Sequence, residues 1–359
     1  MAEVSIARRH IPEFDGLRGI AALAVVADHL SQNYIVFAHG KLLHVALVLS
    51  QFGVAGVDVF FALSGFLITS ILLEKRGTPH YYRNFYMRRV LRLAPAYLLT
   101  LALVGLLVPH SGPYLLLSLV YLANMAPLFH VAMTYGLLWS LSVEEHFYLL
   151  WPWMVRFLRL RGLAAACVLL CLTTPAARVA TSLHGPLNAM YSWYRFDGLA
   201  WGALLALLVH SRFAAVWTRR FSWAVGLGGC LLCLATLVLI KEQHRDAGIA
   251  LLFSAAAMLS TGVIGFAELH EQLPALGWLR LWPLRRLGDI SYWLYLTHYL
   301  ALGAGLLFLE RFARSSLVQA GWGIMLAGLA FTLVPTIATG VLVRRWIELP
   351  VLRLKSRFR

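Results

Sequence analysis

The sequence predicts an all-α, polytopic integral membrane protein with about ten transmembrane helices around a central polar cavity. Three observations carry that expectation. Of 359 residues, 60% are hydrophobic and only 13% charged, against about 25% charged in a soluble domain. A globule of this size would lack the polar residues to cover its surface in water. The apolar residues also fall in runs close to the roughly 20 residues that cross a bilayer. The basic residues gather between those runs, as they do in loops facing the cytoplasm. A soluble enzyme, a disordered hub and a disulfide-stapled secreted module are excluded.

The runs lie at about 17–36, 45–73, 91–110, 137–157, 162–180, 196–211, 221–241, 247–268, 288–309 and 320–343. The second is long enough to tilt. A further run, Tyr114–Asn124, is too short to cross a core of about 30 Å at 1.5 Å per residue, so it reads as re-entrant or interfacial. With the N-terminus in the cytoplasm and ten spans, 23 of the 31 Lys and Arg residues fall inside and 7 outside. Arg18 lies within the first span. An eleventh crossing would spoil that asymmetry. The reading therefore places both termini in the cytoplasm. One transmembrane domain covers 12–350, flanked by short basic termini at 1–11 and 351–359.

The formal net charge of +15 follows from this positive-inside pattern, so nucleic acid is not an expected partner. The first fifteen residues include Glu3, Arg8, Arg9, Glu13 and Asp15 and resemble no cleavable leader. The first run is expected to stay as an anchor. Cys230 and Cys233 have a C-x-x-C spacing, but apolar residues surround them and no further ligands stand nearby, so no metal is expected.

Ionisable residues inside spans are costly and usually face a cavity or a partner. In FDGLRGIAALAVVADHL, Arg18 and His29 are eleven residues apart. Eleven steps of 100° overshoot three turns by about 20°, so both lie on one face, about 16 Å apart along the axis. A snorkelling arginine and a structural histidine would give the same letters. WSLSVEEHFYLLWP places Glu144 and Glu145 within the fourth span, about 100° apart around the helix. One suits accepting a proton or orienting an imidazole. The other suits binding Arg18, Arg195 or a substrate hydroxyl. Glu144 and His29 fall at a similar depth, which permits a His–Glu pair.

The loop YYRNFYMRRVLRLAPAY holds Arg83, Arg88, Arg89 and Arg92. It reads either as an inner-leaflet anchor or as a phosphate clamp built from guanidinium forks. RFDGLAWG places Arg195 and Asp197 at the outer mouth of the sixth span. GDISYWLYLTH places Ser291, Tyr292 and His298 on the ninth, with His298 as a second polar wall of the cavity. There is no HExxH, P-loop or dinucleotide-binding glycine turn.

These segments closely resemble the membrane-bound acyltransferase-3 family. The matching pieces are Arg18 with His29, FFALSGFL at 60–67, FYMRRVLRLAPAY at 85–97, WSLSVEEHFYLLWP at 139–152, RFDGLAWG at 195–202, GDISYWLYLTH at 288–298 and Glu348-Leu349-Pro350. The resemblance implies an O-acyltransferase, most often O-acetyl, of the O-antigen or exopolysaccharide type. The donor it implies is cytoplasmic acetyl-CoA or another acyl-CoA. The acceptor would be a sugar hydroxyl of a surface polysaccharide, lipopolysaccharide or lipid-linked precursor, with a glycosylated or macrolide-type metabolite as the alternative. It implies catalytic roles for His29, Glu144 and Glu145, and donor binding by Arg18, Arg88, Arg89 and Arg92. The acceptor would approach Arg195, Asp197, Tyr292 and His298. His146 stands where many relatives carry Gln and is given no catalytic role. The chain is too short for the SGNH esterase-like domain of longer members. From composition alone, a proton-coupled transporter is the competing class, but no internal repeat supports it.

Overall fold

The computed structural model describes residues 10–34, 41–211, 214–242, 245–269, 274–312 and 321–358. The described residues form α-helices joined by short turns. Helix α1 (Pro12–Tyr34) opens with Pro at its first position and with Glu13 and Asp15 in its first turn, which suits the free amides there. Helix α2 (Lys41–Ser50) passes through one tight turn at 51–55 into α3 (Gly56–Lys75). Together they form a 35-residue apolar helix, longer than the bilayer core requires.

Helix α4 (Tyr81–Leu107) contains Pro95. Its range corrects the expectation of a basic loop. Arg83, Arg88, Arg89 and Arg92 belong to the helix itself, because 27 residues extend to about 40 Å and project beyond the apolar core. The run after residue 114 yields only α5 (Gly112–Leu119) and a tight turn at 123–129. Eight residues reach about 12 Å, so this segment does not cross.

Helices α6 (Leu138–Phe157), α7 (Leu160–His184), α8 (Phe196–Val209), α9 (Ala214–Lys241) and α10 (Arg245–Leu269) follow. After α11 (Trp282–Asp289), the chain turns at Ile290 into α12 (Ser291–Phe312). Helix α13 (Gly321–Val343) runs through a wide turn at 344–348 into α14 (Leu349–Arg353) and a last turn at 354–357.

Among the described residues, six helical segments are long and apolar enough to span a membrane: 41–75, 81–107, 160–184, 216–241, 246–269 and 326–357. Helices α1, α6 and α12 have 23, 20 and 22 residues but interrupt their apolar surface with the ionisable groups discussed below. Large apolar side chains such as Leu106, Leu172 and Leu227 point outward from the helices, as lipid contact requires. Helices α3 and α8 approach so closely that a Cβ on Gly65 would lie 1.9 Å from the Leu199 carbonyl oxygen. One on Gly202 would lie 2.0 Å from that of Ala62. The glycines of GLAWG, four residues apart, are therefore a packing seam.

Candidate active site

The first turns of α4 carry the arginines. A pocket of about 300 Å³ opens beside them, lined by Arg88, Arg89 and Arg92 with Lys75 of α3 and Lys355 of the C-terminal turn. Among the described residues, no carboxylate lines it. The Nε of Arg88 donates to the Phe358 carbonyl at 2.6 Å, and the Arg83 guanidinium lies 5.7 Å from the Phe358 ring centre. The C-terminal segment thus forms one wall. The Arg89 guanidinium stacks over Tyr148 at 4.1 Å, while its Nε is buried without a hydrogen-bond partner. Like charges gathered around open space repel one another, and an anion with several oxygens would relieve that repulsion.

Arg89 and Arg92 also line a second pocket of about 430 Å³ that runs between α1, α3, α4, α6 and α12. Arg18 enters it from α1, held by Asp15 at 3.3 Å. Glu144 enters it from α6. Its two oxygens accept hydrogen bonds from Ser64 at 2.8 Å and Tyr148 at 3.2 Å. Tyr148 is one turn along the same helix, so it reaches Glu144 by ordinary i,i+4 geometry. Ser291 and Tyr292 also line the pocket, and the Tyr292 hydroxyl donates to the Leu93 carbonyl at 3.4 Å. The far wall is formed by Phe60, Ser140 and Tyr295, with Ser140 and Tyr295 hydroxyls 2.6 Å apart.

Glu145 turns away from this pocket. It lies within electrostatic reach of Tyr97 and Tyr121, whose rings stack at 5.0 Å. Burial first, and then Glu145, raise the phenol of Tyr121, a residue in the turn after α5. It therefore keeps its proton and remains a donor. His146 pairs through Nδ1 with the Ser192 hydroxyl at 2.6 Å, and Asn124 donates to that hydroxyl at 2.9 Å.

His29 stands beyond the far wall. Its Nδ1 is 3.0 Å from Nε2 of His298, and its ring packs edge-on against Tyr299 at 5.4 Å. Tyr292, Tyr295 and His298 recur every three residues on α12, so polar groups step along that helix from the pocket to His29. Tyr295 connects the two places: it lines the pocket, and its ring centre is 6.2 Å from that of His298. The similar depth expected for His29 and Glu144 permits a pair, but the described contacts of the two are different. His29 meets another imidazole, that of His298, and the Val25 backbone, while Glu144 belongs with Arg89, Ser64 and Tyr148.

Arg195 and Asp197 occupy a separate cluster among α3, α7, α8 and α10. Both are buried. Arg195 donates to Asp58 at 3.0 Å, and its guanidinium stacks on Phe253 at 4.0 Å. Asp197 receives a forked pair from Arg178 at 3.0 and 2.7 Å, together with the Ser254 hydroxyl at 2.6 Å. Arg178 also donates to the carbonyls of Ala250 and Tyr194. These residues line neither pocket described above.

Sequence reading passed over Ser64, Tyr148, Tyr295 and Lys355. Tyr148 was within reach of it, being four residues after Glu144. Ser64 was quoted within FFALSGFL, but a serine inside a span ordinarily bonds its own backbone. Among the described residues, no three His, Cys, Asp or Glu side chains gather as a metal site.

The profile of a family described as an acyltransferase domain matches residues 11–341. YrhL of Bacillus subtilis, named as a candidate peptidoglycan O-acetyltransferase, is 30% identical over 329 residues, covering 81% of this chain and 48% of that protein. The peptidoglycan O-acetyltransferase OatA of Listeria monocytogenes is 28% identical over 331 residues, covering 81% and 49%. The O-acetyltransferase OatA of Staphylococcus aureus is 30% identical over 174 residues, covering 42% and 25%. The chain thus spans about half the length of the first two relatives. No solved structure matches.

Proposed function

The chain belongs to this acyltransferase family, and on that premise we propose that it is a membrane-bound O-acyltransferase. It carries an acyl group, acetyl foremost, from acyl-CoA to a hydroxyl of a cell-envelope glycan. Peptidoglycan, for which two of the relatives are named, is one such acceptor; O-antigen and exopolysaccharide sugars present the same chemistry. The observation that carries this reading is a cationic pocket without lining acids among the described residues, sharing Arg89 and Arg92 with the pocket that holds Glu144.

The phosphates of the donor would take Arg88, Arg89, Arg92 and Lys355, where guanidinium forks match phosphate oxygens. The pantetheine arm would pass Arg18 into the second pocket. Ser64 and Tyr148 orient Glu144 beside that path. His29 would take the acceptor's proton, as a neutral imidazole suits near pH 7. The acceptor oxygen bonds to the acyl carbon, the carbon–sulfur bond breaks, and the CoA thiol leaves with the proton from His29. Tyr292 would contact the donor arm, given its place in the lining of the second pocket, and Arg195 and Asp197 would brace the helices rather than meet the acceptor.

Ten crossings with both termini in the cytoplasm complete the proposal. The 23-to-7 division of basic residues supports it, because it sets the cationic pocket on the side where acyl-CoA is made. The test is transfer of labelled acetyl from acetyl-CoA to peptidoglycan and lipopolysaccharide fragments by purified full-length chain in nanodiscs. Acceptor-dependent ester formation is expected. Acetyl-CoA that neither binds nor is consumed would overturn the reading.

A further inference from the structure

Resting on the transfer reading above, we propose that His298 is a positioning residue that fixes the tautomer of His29. It leaves Nε2 of His29 as the atom that removes the acceptor's proton. The argument needs only the hydrogen-bond inventory of imidazole. A neutral ring has one nitrogen that donates and one that accepts. Nδ1 of His298 lies 3.0 Å from the carbonyl oxygen of Leu294. A carbonyl oxygen can only accept, so this nitrogen carries the proton. Nε2 of His298 therefore presents its lone pair, and it faces Nδ1 of His29 at 3.0 Å. Nδ1 of His29 then donates, with the backbone carbonyl of Val25, one turn back, as a further acceptor beside the ring, and the lone pair of that ring falls on Nε2.

The surroundings hold His298 in this state. It is fully buried, and a neighbouring ring lies on either side, Tyr295 at 6.2 Å and Tyr299 at 6.5 Å. Among the described residues, no carboxylate makes a hydrogen bond or ion pair with it that would favour a second proton. A doubly protonated His298 would reverse the logic, donating to Nδ1 of His29 and placing the proton on the wrong nitrogen. During transfer, Nε2 of His29 takes the proton of the attacking hydroxyl. The Nδ1–H of the resulting imidazolium stays bonded to His298, and the proton on Nε2 passes to the departing thiolate. His298 thus does for His29 what a carboxylate does in a hydrolase triad, but without a charge to bury in the membrane.

The direct test does not require turnover. Solid-state NMR of the full chain in lipid bilayers, labelled with 15N-histidine, reports which ring nitrogen is protonated. The His29 signals are identified by their loss in His29→Gln. The expected result is Nδ1–H at His29 in the wild type and a shift toward Nε2–H in His298→Phe, which fills the space but offers no acceptor. Nε2–H at His29 in the wild type, or no change in His298→Phe, overturns the inference. Kinetics supply the second arm, read as thiol release from acetyl-CoA with a peptidoglycan fragment. His298→Phe is expected to lower kcat by about 10²-fold with the KM for acetyl-CoA nearly unchanged, whereas His29→Ala loses about 10²–10⁴-fold. His298→Gln, whose amide oxygen can accept from Nδ1, should recover much of the rate. Equal losses in the Phe and Gln variants would make His298 a packing residue. Full turnover in His29→Ala would overturn the parent assignment of His29 itself.

Discussion

The membrane body holds two clusters of charge built on opposite terms. Around α8, Arg178 meets Asp197 and Arg195 meets Asp58. Each charge has an opposite one, with aromatic rings and the Ser254 hydroxyl beside them, although Nε and Nη1 of Arg195 and Oδ2 of Asp58 make no hydrogen bond. At the start of α4, Arg88, Arg89 and Arg92 stand with Lys355 around open space that no carboxylate of the described residues lines. The residue types are the same. What separates frame from site is whether each charge is already answered. In a medium that punishes bare charge, a paired cluster fixes helices in place. An unanswered one beside a cavity implies an anion from outside.

The largest effect is expected in the paired cluster. Asp197→Ala leaves the Arg178 guanidinium buried without its acid, and losing one partner of such a pair costs about 3–5 kcal/mol. Thermal unfolding in detergent should therefore fall well below that of the wild type, while surviving folded protein keeps its affinity for acetyl-CoA. Lost affinity with unchanged melting would move Asp197 into the site. The converse holds for Arg88→Ala combined with Arg89→Ala. At about 1.5–3 kcal/mol for each charged contact, the double variant should bind acetyl-CoA more than tenfold more weakly. Its melting should barely move. Calorimetry showing unchanged affinity would assign these arginines to lipid phosphate. The smallest effect belongs to Lys355→Ala, a partly exposed, screened contact. A loss of about two- to tenfold is expected, present at low salt and fading at high salt. A salt-independent loss would point to packing of the C-terminal turn instead.

Much of this was legible in the sequence, and the remainder was hidden for definite reasons. The spans follow from apolar runs, because lipid contact is a property of segments. That Glu144 and Glu145 face different surroundings follows from helical pitch alone. The pairing of His29 with His298 does not. The two are 269 residues apart, and no local rule states which face α12 turns toward α1. The same holds for Arg178. It proves to be the partner of Asp197. Lys355 read as part of a basic tail, since nothing before the fold brings that tail against α4. Local periodicity gives the face a residue occupies, while the neighbour across that face depends on how helices pack.

The central claim is that the unanswered cluster, and not the paired one, receives the donor. A photoreactive azidoadenine analogue of acetyl-CoA tests it most directly, with adducts mapped by mass spectrometry on the full chain in nanodiscs of neutral lipid. Adducts are expected on the first three turns of α4 and on 354–358, abolished by excess acetyl-CoA. Adducts confined to α7, α8 and α10, and competed by acetyl-CoA, would contradict it.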